Sequence, residues 1–453
     1  MADDSIGIQE IDTGANACSV EWCPIAGLES YVACSTYLLQ PESAGDGTAG
    51  TEPAVEGEGE EKEVNVGAGK GQTRSGSIVV HKLSTSPSTS TSTPTGGEDA
   101  PKSSVYLKEA AGVSLDGGVL DAKWCHQPIA LGGSDAALLA CATSTGRLGL
   151  YALSGADAGA GAGEDVGGCA QLRPFSSSDD AEGTLLLSLD WSGGRVADAK
   201  VGGEMRTGNG IVVSQSDGGL AIWRPHPNGG APVQEAAPWQ AHTLRGGVPT
   251  EAWISFFRKR GAGCAGEDQH GASFVVSGAD DALMKGWDLR VGGGACGASP
   301  AFVCKEHGAG VTAGQWHPTL EHTFVSGSYD ESVRIWDARA LGSPVSTMPT
   351  GGGLWRLKWH PDPDRGNLLL AACMHAGMRV LDTGIGAEGD LIGGGGAAGG
   401  KGILAKFTRH ASMAYGADWC RFPTSLQNQR AVIASCSFYD SLLCLWETPP
   451  LWS

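Results

Sequence analysis

The sequence predicts an all-β fold, a seven-bladed β-propeller that forms one domain over residues 1–453. In residues 326–337 a short strand ends in Ser-Gly-Ser, an Asp occupies the turn, and a second strand closes on Trp-Asp. Weaker copies of this stretch recur along the chain. Trp316 and Trp359, which match in neighbouring copies, lie 43 positions apart, which agrees with a blade period of about 40–45 residues.

These copies are typical of WD repeats, and seven of them account for the chain. In each, short apolar strands alternate with turn residues, which predicts a four-stranded blade. They are centred on residues 19–37, 120–151, 187–223, 239–290, 307–337, 355–375 and 415–447. The last repeat lacks a fourth strand after Trp446. We expect the alternating residues 6–11 to fill that place, so that strands from both ends of the chain close the ring.

Low-complexity stretches interrupt the repeats. Residues 40–75 and 84–104, both within the first blade, contain almost no large apolar side chain. They are predicted to be disordered inserts, because they bury too little surface to offset the entropy of ordering. Residues 384–402 are predicted to form a Gly-rich loop in the sixth blade.

Charge and composition exclude several function classes. The formal net charge of −19 argues against nucleic acid or an anionic membrane as a partner, because both attract Lys and Arg clusters. The acidic N-terminus does not resemble a signal peptide, and no apolar run approaches the roughly 20 residues that span a bilayer. The 13 cysteines include no CxxC pair, which indicates reduced core thiols and predicts no metal and no cofactor. We expect a soluble, cytoplasmic protein.

In four repeats an Asp lies six residues before the closing Trp: Asp217, Asp281, Asp330 and Asp440 precede Trp223, Trp287, Trp336 and Trp446. At such a turn a carboxylate accepts hydrogen bonds from local backbone and from a His such as His242 or His307. These aspartates are therefore predicted to be structural.

Further segments resemble one family over nearly the whole chain apart from the inserts. They are SVEWCP at 19–24, LLACATS at 138–144, LSLDWS at 187–192, WQAH at 239–242, EAWISFF at 251–257, SGADDALMKGWDLRV at 277–291, SGSYDESVRIWDAR at 326–339, WRLKWHP at 355–361, LLLAACMHAGMRVL at 368–381, YGADWC at 415–420 and ASCSFYDSLLCLWE at 434–447. CMHAG and CSFYD, at predicted propeller turns, are not generic WD-repeat text. Together the segments resemble the WD-repeat diphthine methyl ester hydrolases of diphthamide biosynthesis.

The resemblance implies a carboxylic ester hydrolase whose partner is translation elongation factor 2 carrying methylated diphthine. The ester methyl on the modified histidine would leave as methanol, giving diphthine. The residues alone do not identify this chemistry: the sequence has no G-x-S-x-G elbow and no HExxH spacing. Most propellers of this repeat type are binding platforms, and a fold does not decide a function.

Candidate site residues occupy positions predicted to face one end of the central channel. The predicted substrate-binding residues are Trp253, Trp355, Tyr415, Tyr329, Tyr439 and His410. Aromatic faces attract quaternary ammonium groups, and the diphthine implied by the resemblance bears one. Taken singly, Trp253 and Trp355 are better interpreted as core packing. Taken as a set on one rim, and with the resemblance, the aromatic residues favour a binding site.

The predicted catalytic residues are His375, Asp280, Glu251 and Arg356. His375 replaces the turn Asp in the sixth repeat and titrates near neutral pH, so it is the predicted base. Asp280 or Glu251 would orient it, and Arg356 would face the oxyanion. The alternative interpretation is that His375 is a tolerated substitute for the turn Asp.

Two other function classes stay open. Trp287-Asp288-Leu289-Arg290 and Trp336-Asp337-Ala338-Arg339 are similar to the WDxR boxes with which some propellers dock to a cullin ubiquitin ligase, which predicts a non-catalytic adaptor. A purely structural scaffold is the third hypothesis, and it predicts no effect from mutation of the aromatic residues.

Overall fold

Antiparallel sheets make up the computed structural model, which describes residues 5–39, 73–85, 105–131, 134–154, 170–178, 183–195, 209–226, 230–235, 238–258, 273–291, 299–386, 402–422 and 429–451. These residues form seven sheets, each with four main strands. The prediction of a seven-bladed β-propeller is confirmed. No helix in these ranges is both long and apolar enough to cross a membrane.

The strands follow one another blade by blade. Strand β1 (Ile6–Asp12) belongs to the last blade. Blade 1 consists of β2 (Asn16–Trp22), β3 (Tyr31–Leu39), β4 (Arg74–Thr85) and β5 (Val105–Leu115). Blade 2 consists of β6 (Val119–Trp124), β8 (Ser134–Thr143), β9 (Leu148–Ser154) and β10 (Gln171–Ser177), with β7 (Ile129–Leu131) paired to β8. Blade 3 consists of β11 (Leu186–Arg195), β12 (Asn209–Gln215), β13 (Gly219–Arg224) and β14 (Val233–Gln234), with β15 (Trp239–Gln240) also paired to β13.

Blade 4 consists of β16 (Ile254–Phe257), β17 (Phe274–Gly278), β18 (Met284–Asp288) and β19 (Phe302–Cys304). Blade 5 consists of β20 (Val311–Trp316), β21 (Thr323–Ser328), β22 (Ser332–Asp337) and β23 (Ser346–Pro349). Blade 6 consists of β24 (Arg356–Trp359), β25 (Leu368–Ala372), β26 (Met378–Asp382) and β27 (Gly402–Phe407), with a one-turn 3-10 helix at Pro363–Arg365. Blade 7 consists of β28 (Ala414–Trp419), β29 (Val432–Ser437), β30 (Leu442–Glu447) and β1.

The first strand of each blade lines the central channel, and these seven strands contact one another in ring order. Because strands within a blade are antiparallel, the start of the first strand and the turn between the second and third lie at the same end. We call this end of the propeller the upper rim. Every candidate site residue except His410 lies at the start of a first strand, within three residues before it, or in the turn between the second and third strands.

Strand β1 closes the ring, as predicted. Ile6 lies opposite Glu447 in the antiparallel pair with β30. The Gln9 side chain then joins blade 7 to blade 1, because its amide donates to the Leu107 carbonyl at 3.1 Å and its oxygen accepts from the Leu107 amide at 2.6 Å. The closing strand is thus held on both sides.

The predicted inserts lie mostly outside the described residues, as does most of residues 384–402. At their edges the structure differs from the prediction. Strand β4 includes residues 74–75 and 84–85, and β27 begins at Gly402. Ladder hydrogen bonds carry these polar residues into the sheet although their side chains have no strand pattern: Arg74 pairs with Leu39, and Thr85 pairs with Val105.

Tryptophans at the ends of the first strands join neighbouring blades. Trp124, Trp191 and Trp419 are almost fully buried. Their indole N–H groups donate to the main-chain oxygens of Glu21, Lys123 and Lys358 in the preceding blade, at 3.0, 2.8 and 2.9 Å. Removing such a ring costs about 3–5 kcal/mol of stability. Three of the six tryptophans at this repeat position thus join their blade to the preceding one.

The turn aspartates have the predicted structural role, with differences between blades. In blade 4, His242 Nδ1 lies 2.9 Å from Asp281, while Ser277 bonds His242 Nε2 and accepts from the Trp287 indole, both at 2.8 Å. In blade 5, Arg334 bonds both Asp330 and His307. In blade 7, Ser437 links His410 to Asp440. In blade 3, Asp217 accepts from the Gly219 amide at 2.9 Å.

Candidate functional site

Aromatic side chains form a row across the upper end of the channel. The Trp253 and Trp355 ring centroids are 5.5 Å apart, and Trp355 stacks on Tyr415 at 4.4 Å. Trp253 belongs to blade 4 and Trp355 to blade 6, so the two rings meet across blade 5. Blade 5 has the small Thr312 at the matching position, which leaves the space for this contact. The structure thus brings together three of the predicted binding residues.

The row continues into blade 7 through a residue that the sequence analysis missed. Phe438 lies 5.0 Å from Tyr415 and 5.0 Å from Tyr439, measured between ring centroids. Phe438 is buried, whereas Tyr439 is 49% exposed. Phe438 directly precedes Tyr439 in the same predicted turn, and this position was the sequence indication that it belongs to the row. The buried Phe438 ring therefore packs against the exposed Tyr439 ring.

Asp280 lies at the blade 4 end of the row. Its Oδ1 accepts a hydrogen bond of 2.7 Å from the Trp253 indole, and its main-chain amide donates to the Glu251 carbonyl at 3.2 Å. Partial loss of hydration raises the pKa of the Asp280 carboxyl, and the charges of Glu251 and Asp281 raise it further, although the Trp253 bond opposes them. A carboxylate with a raised pKa is a better proton acceptor at neutral pH.

Tyr329 lies in the upper turn of blade 5, next to Gly310, which Asp280 also adjoins. It is 36% exposed, and its ring lies beside Gly310 on one side and Gly353 on the other. Burial raises the pKa of Tyr415, and the neighbouring Tyr329 phenol, Cys18 thiol and Tyr439 phenol raise it further. Tyr415 therefore stays a neutral phenol.

His375 is exposed in the upper turn of blade 6, directly after Met374, whose φ is +42°. Within the described ranges, no side chain forms a hydrogen bond or ion pair with its imidazole. Asp280 bonds Trp253 instead, so the predicted orienting contact from Asp280 or Glu251 to His375 is not seen. The structure leaves His375 near the rim without the partner that a positioned base requires.

Among the described residues, no group of three or more His, Cys, Asp or Glu side chains has the arrangement of a metal site. The ten cysteines that the structure describes are all buried, and none of them forms a disulfide bond.

Comparison with known proteins identifies the repeat and the family. Residues 298–337 match the model "WD domain, G-beta repeat". The chain is 32% identical to "Diphthine methyltransferase" of Mus musculus over 91% of this chain and 69% of the relative. It is 33% identical to the Homo sapiens protein of that name over 91% of this chain and 74% of the relative. It is 30% identical to "Diphthine methyltransferase homolog" of Dictyostelium discoideum over 75% of this chain and 79% of the relative.

The chain belongs to the diphthine methyltransferase family. The resemblance inferred from the sequence is confirmed at this level. A solved structure, "Crystal Structure of Mitotic Checkpoint Complex", has a chain with a TM-score of 0.51 and 12% identity to this one. The match covers 98% of this chain and 92% of that chain. At that identity it shows the propeller fold alone.

Arg356, which was predicted to face the oxyanion, is engaged elsewhere in the structure. Arg356 is buried and its guanidinium donates to Asp121 across the channel at 2.8 Å. Beside it, Lys358 pairs with Glu21. Desolvation favours a neutral Arg356, but the charges of Asp121 and Glu21 outweigh it and raise the pKa of Arg356. This guanidinium is engaged in joining blades 6 and 2.

His410, which was predicted to bind substrate, is likewise engaged inside blade 7. His410 is buried, with Nε2 2.8 Å from Ser435 Oγ and Nδ1 2.7 Å from Ser437 Oγ. Burial lowers its pKa to about 4, against the opposing charge of Asp440. His410 is the blade 7 counterpart of His242 and His307. It lies nine residues before Trp419, as His307 lies nine before Trp316, and this spacing was the overlooked sequence indication.

Charged side chains in the channel form a further set that sequence reasoning missed. The residue directly before each anchoring aromatic is polar in six of the seven blades: Glu21, Lys123, Asp190, Gln315, Lys358 and Asp418. Several of them accept hydrogen bonds from the next blade's main chain. Asp190 accepts from the Phe257 amide at 3.0 Å, and Asp418 accepts from the Trp22 amide at 2.8 Å. These charges hold inner strands together.

Proposed function

We propose that this protein hydrolyses the methyl ester of methylated diphthine on translation elongation factor 2, in the cytoplasm. Water would attack the ester carbonyl carbon, the bond from that carbon to the methoxy oxygen would break, and methanol and the diphthine carboxyl would form. Membership of the diphthine methyltransferase family supports the substrate. The observation that carries the proposal is Asp280, a carboxylate at the end of an aromatic row.

The aromatic row supplies recognition. Diphthine bears a quaternary ammonium, and the faces of Trp253 and Trp355 attract such a cation by about 1–2 kcal/mol for each desolvated contact. Glu251 and Asp280 place negative charge at the same end of the row, which favours the same cation. The exposed phenols of Tyr329 and Tyr439 border the entrance. The upper rim therefore suits a cationic side chain presented by another protein.

Asp280 supplies the base. Its Oδ1 is held by Trp253, which leaves Oδ2 to accept a proton from water as that water attacks the ester. Partial loss of hydration raises its pKa, the charge of Glu251 adds to this shift, and the raised pKa strengthens the carboxylate as a base. The phenol groups of Tyr329 and Tyr439 would donate hydrogen bonds to the oxyanion that forms as water attacks. His375 stays a candidate base from the sequence, and its exposed imidazole has no orienting partner among the described side chains.

The test is incubation of the purified protein with methyl-esterified elongation factor 2. We expect the intact mass of the factor to fall by one CH2 equivalent, with methanol released. The family name describes methyl transfer to diphthine, and a gain of one CH2 equivalent would overturn hydrolysis in favour of transfer. An unchanged mass of the factor, with the purified protein shown to be folded, would also overturn the proposal. The Asp280→Asn variant is the matched negative control.

The adaptor hypothesis has one supporting observation. Arg290 and Arg339, on neighbouring blades, repeat one local geometry: each guanidinium bonds the Asp two residues earlier, at 2.7 Å. Both arginines are largely exposed. Docking to a cullin ligase would use this repeated pair. Recovery of ligase subunits by the wild-type protein but not by an Arg290→Ala, Arg339→Ala double variant, together with no methanol release, would favour the adaptor.

A further inference from the structure

Gly310 lies on the upper rim, directly before strand β20 of blade 5. A Cβ atom at this position would lie 2.5 Å from Asp280 Oδ1 and 3.1 Å from Cδ2 of Tyr329. Non-bonded atoms prefer separations of about 3.5–4.0 Å, so a methyl group would displace the carboxylate. Gly310 is not among the described glycines with positive φ. The position therefore requires glycine for space and not for backbone conformation.

The main chain fixes Gly310 in this place. Its carbonyl accepts from the Tyr329 amide at 3.0 Å, and the next amide, of Val311, donates to the Ala279 carbonyl at 3.0 Å. These bonds tie the segment to the upper turns of blades 5 and 4 at once. A new side chain on Gly310 thus has no route to move away, and the strain falls on Asp280.

The same arrangement occurs at two other blade boundaries. Gly118 and Gly353 occupy the position of Gly310, six residues before the anchoring Trp of their blades. A Cβ on Gly118 would lie 2.2 Å from Tyr37 of the preceding blade. One on Gly353 would lie 3.3 Å from Tyr329 of the preceding blade and 3.0 Å from Met374 of its own blade. At this position an absent side chain makes room for a side chain of the blade before it.

We infer that Gly310 is a positioning residue for Asp280: the missing side chain determines where the carboxylate lies against the Trp253 indole. The catalytic consequence rests on the proposed function, whereas the placement of the carboxylate does not. The tests are chosen to separate the two.

The first test reads the placement directly. The indole N–H resonance of Trp253, identified by its loss in Trp253→Phe, reports the bond to Asp280. We expect Gly310→Ala to move this resonance toward its position in Asp280→Ala. The matched control is Gly308→Ala in the same loop, where a Cβ meets only ordinary contacts beyond 3.5 Å. A Trp253 resonance unchanged by Gly310→Ala would overturn the inference.

The second test reads the catalytic consequence. We expect Gly310→Ala to lower kcat about 10–100-fold, because a displacement of about 1 Å has effects of this size, with a smaller change in KM. In the Asp280→Asn background the same substitution should lower kcat no further. Equal losses in both backgrounds would overturn the positioning role. If the wild type shows no hydrolysis and the indole resonance still moves, the proposed function fails and the placement stands.

Folding of the variant is itself informative. If Gly310→Ala fails to fold, the double variant Gly310→Ala, Asp280→Ala removes the carboxylate that the methyl group would meet. Recovery of a folded protein in the double variant supports the steric conflict. Failure of both to fold would place the conflict elsewhere and overturn the inference.

Discussion

Asp121 and Asp280 are two aspartates at different depths of one channel, and their surroundings assign them different roles. Asp121 is fully buried and bonds Arg356 at 2.8 Å and the Leu189 amide at 3.1 Å. Burial opposes ionisation there, but Arg356 and Lys123 outweigh it and lower the pKa of Asp121. Asp280 has one hydrogen-bond partner for its side chain, Trp253, among the described residues, and its pKa is raised. A carboxylate whose oxygens are both bonded within the protein stabilises the ring of blades. A carboxylate with an oxygen left over is available to a substrate.

Asp280→Asn is the change with the largest expected effect. The amide can still accept from Trp253 but cannot take a proton, so we expect kcat for ester hydrolysis to fall about 10²–10⁴-fold. Methanol release under saturating substrate measures it. The control is Asp217→Asn, at an exposed turn of blade 3, which should keep wild-type kcat. Full activity in Asp280→Asn would place the base elsewhere and remove the contrast between the two aspartates.

Asp121→Ala should have the opposite profile. It leaves the buried Arg356 guanidinium without its partner, so we expect the free energy of unfolding to fall by about 3–5 kcal/mol. Urea denaturation at neutral pH gives the value. Asp280→Asn should change it by a few tenths of a kcal/mol at most, because that carboxyl is exposed to solvent. Equal destabilisation by both substitutions would show that the two aspartates do not differ in kind.

The aromatic row predicts a binding effect of intermediate size. Trp355→Leu keeps an apolar side chain but removes the ring face, so we expect KM to rise about 5–30-fold, the equivalent of 1–2 kcal/mol. A substrate analogue with a neutral tert-butyl group in place of trimethylammonium should lose this difference between variants. Tyr106→Leu, an exposed aromatic on the outer strand β5, is the control. An equal rise for the neutral analogue would mean that the ring contributes only packing.

The two pKa shifts predict pH dependence of opposite sign. Stabilisation by Asp121 is present above its unfolded-state pKa and is lost as the pH falls through its depressed folded-state pKa. For Asp280 the raised pKa favours the protonated form, so its contribution is present below the unfolded-state pKa and is lost as the pH rises. Thermal unfolding of wild type and each Asp→Asn variant between acid and neutral pH measures both signs. Parallel curves for the two variants would contradict the assignment.

His375→Ala should have the smallest effect. The imidazole is exposed and has no partner within the described ranges, and such surface groups change stability by less than about 0.5 kcal/mol. With Asp280 as the base, kcat should stay within about twofold of wild type, which corresponds to the same energy. Steady-state kinetics checks this. A large fall in kcat for His375→Ala with full activity in Asp280→Asn would restore the base predicted from the sequence.

The fold was predictable because its determinants are local and repeated. Trp124, Trp191 and Trp419 recur at one position, and each makes the same bond to the preceding blade. The site was predictable only in outline. Spacing from the anchors placed Trp253, Trp355 and Tyr415 at one end, and they do meet there.

What the sequence did not show depends on contacts between distant blades. Arg356 and Asp121 are far apart in the chain, and nothing local indicates that one neutralises the other. His410 looked like a rim residue until Ser435 and Ser437 were seen on both of its nitrogens. Gly310 carries no chemistry that a motif search detects. The requirement for glycine there arises from the nearby Asp280 carboxylate of the neighbouring blade.

Strand β1 also has a consequence for how the chain reaches its folded state. It leaves the ribosome before the other strands that the structure describes, yet its partner β30 is the last of these to appear. Until then blade 7 is incomplete and the edge of blade 1 at Leu107 lacks its bonds to Gln9. Unpaired strand edges promote aggregation. Pairing over such a separation is slow. Completion of the ring is therefore a single late event, and the six earlier blades must stay apart from other chains until it occurs.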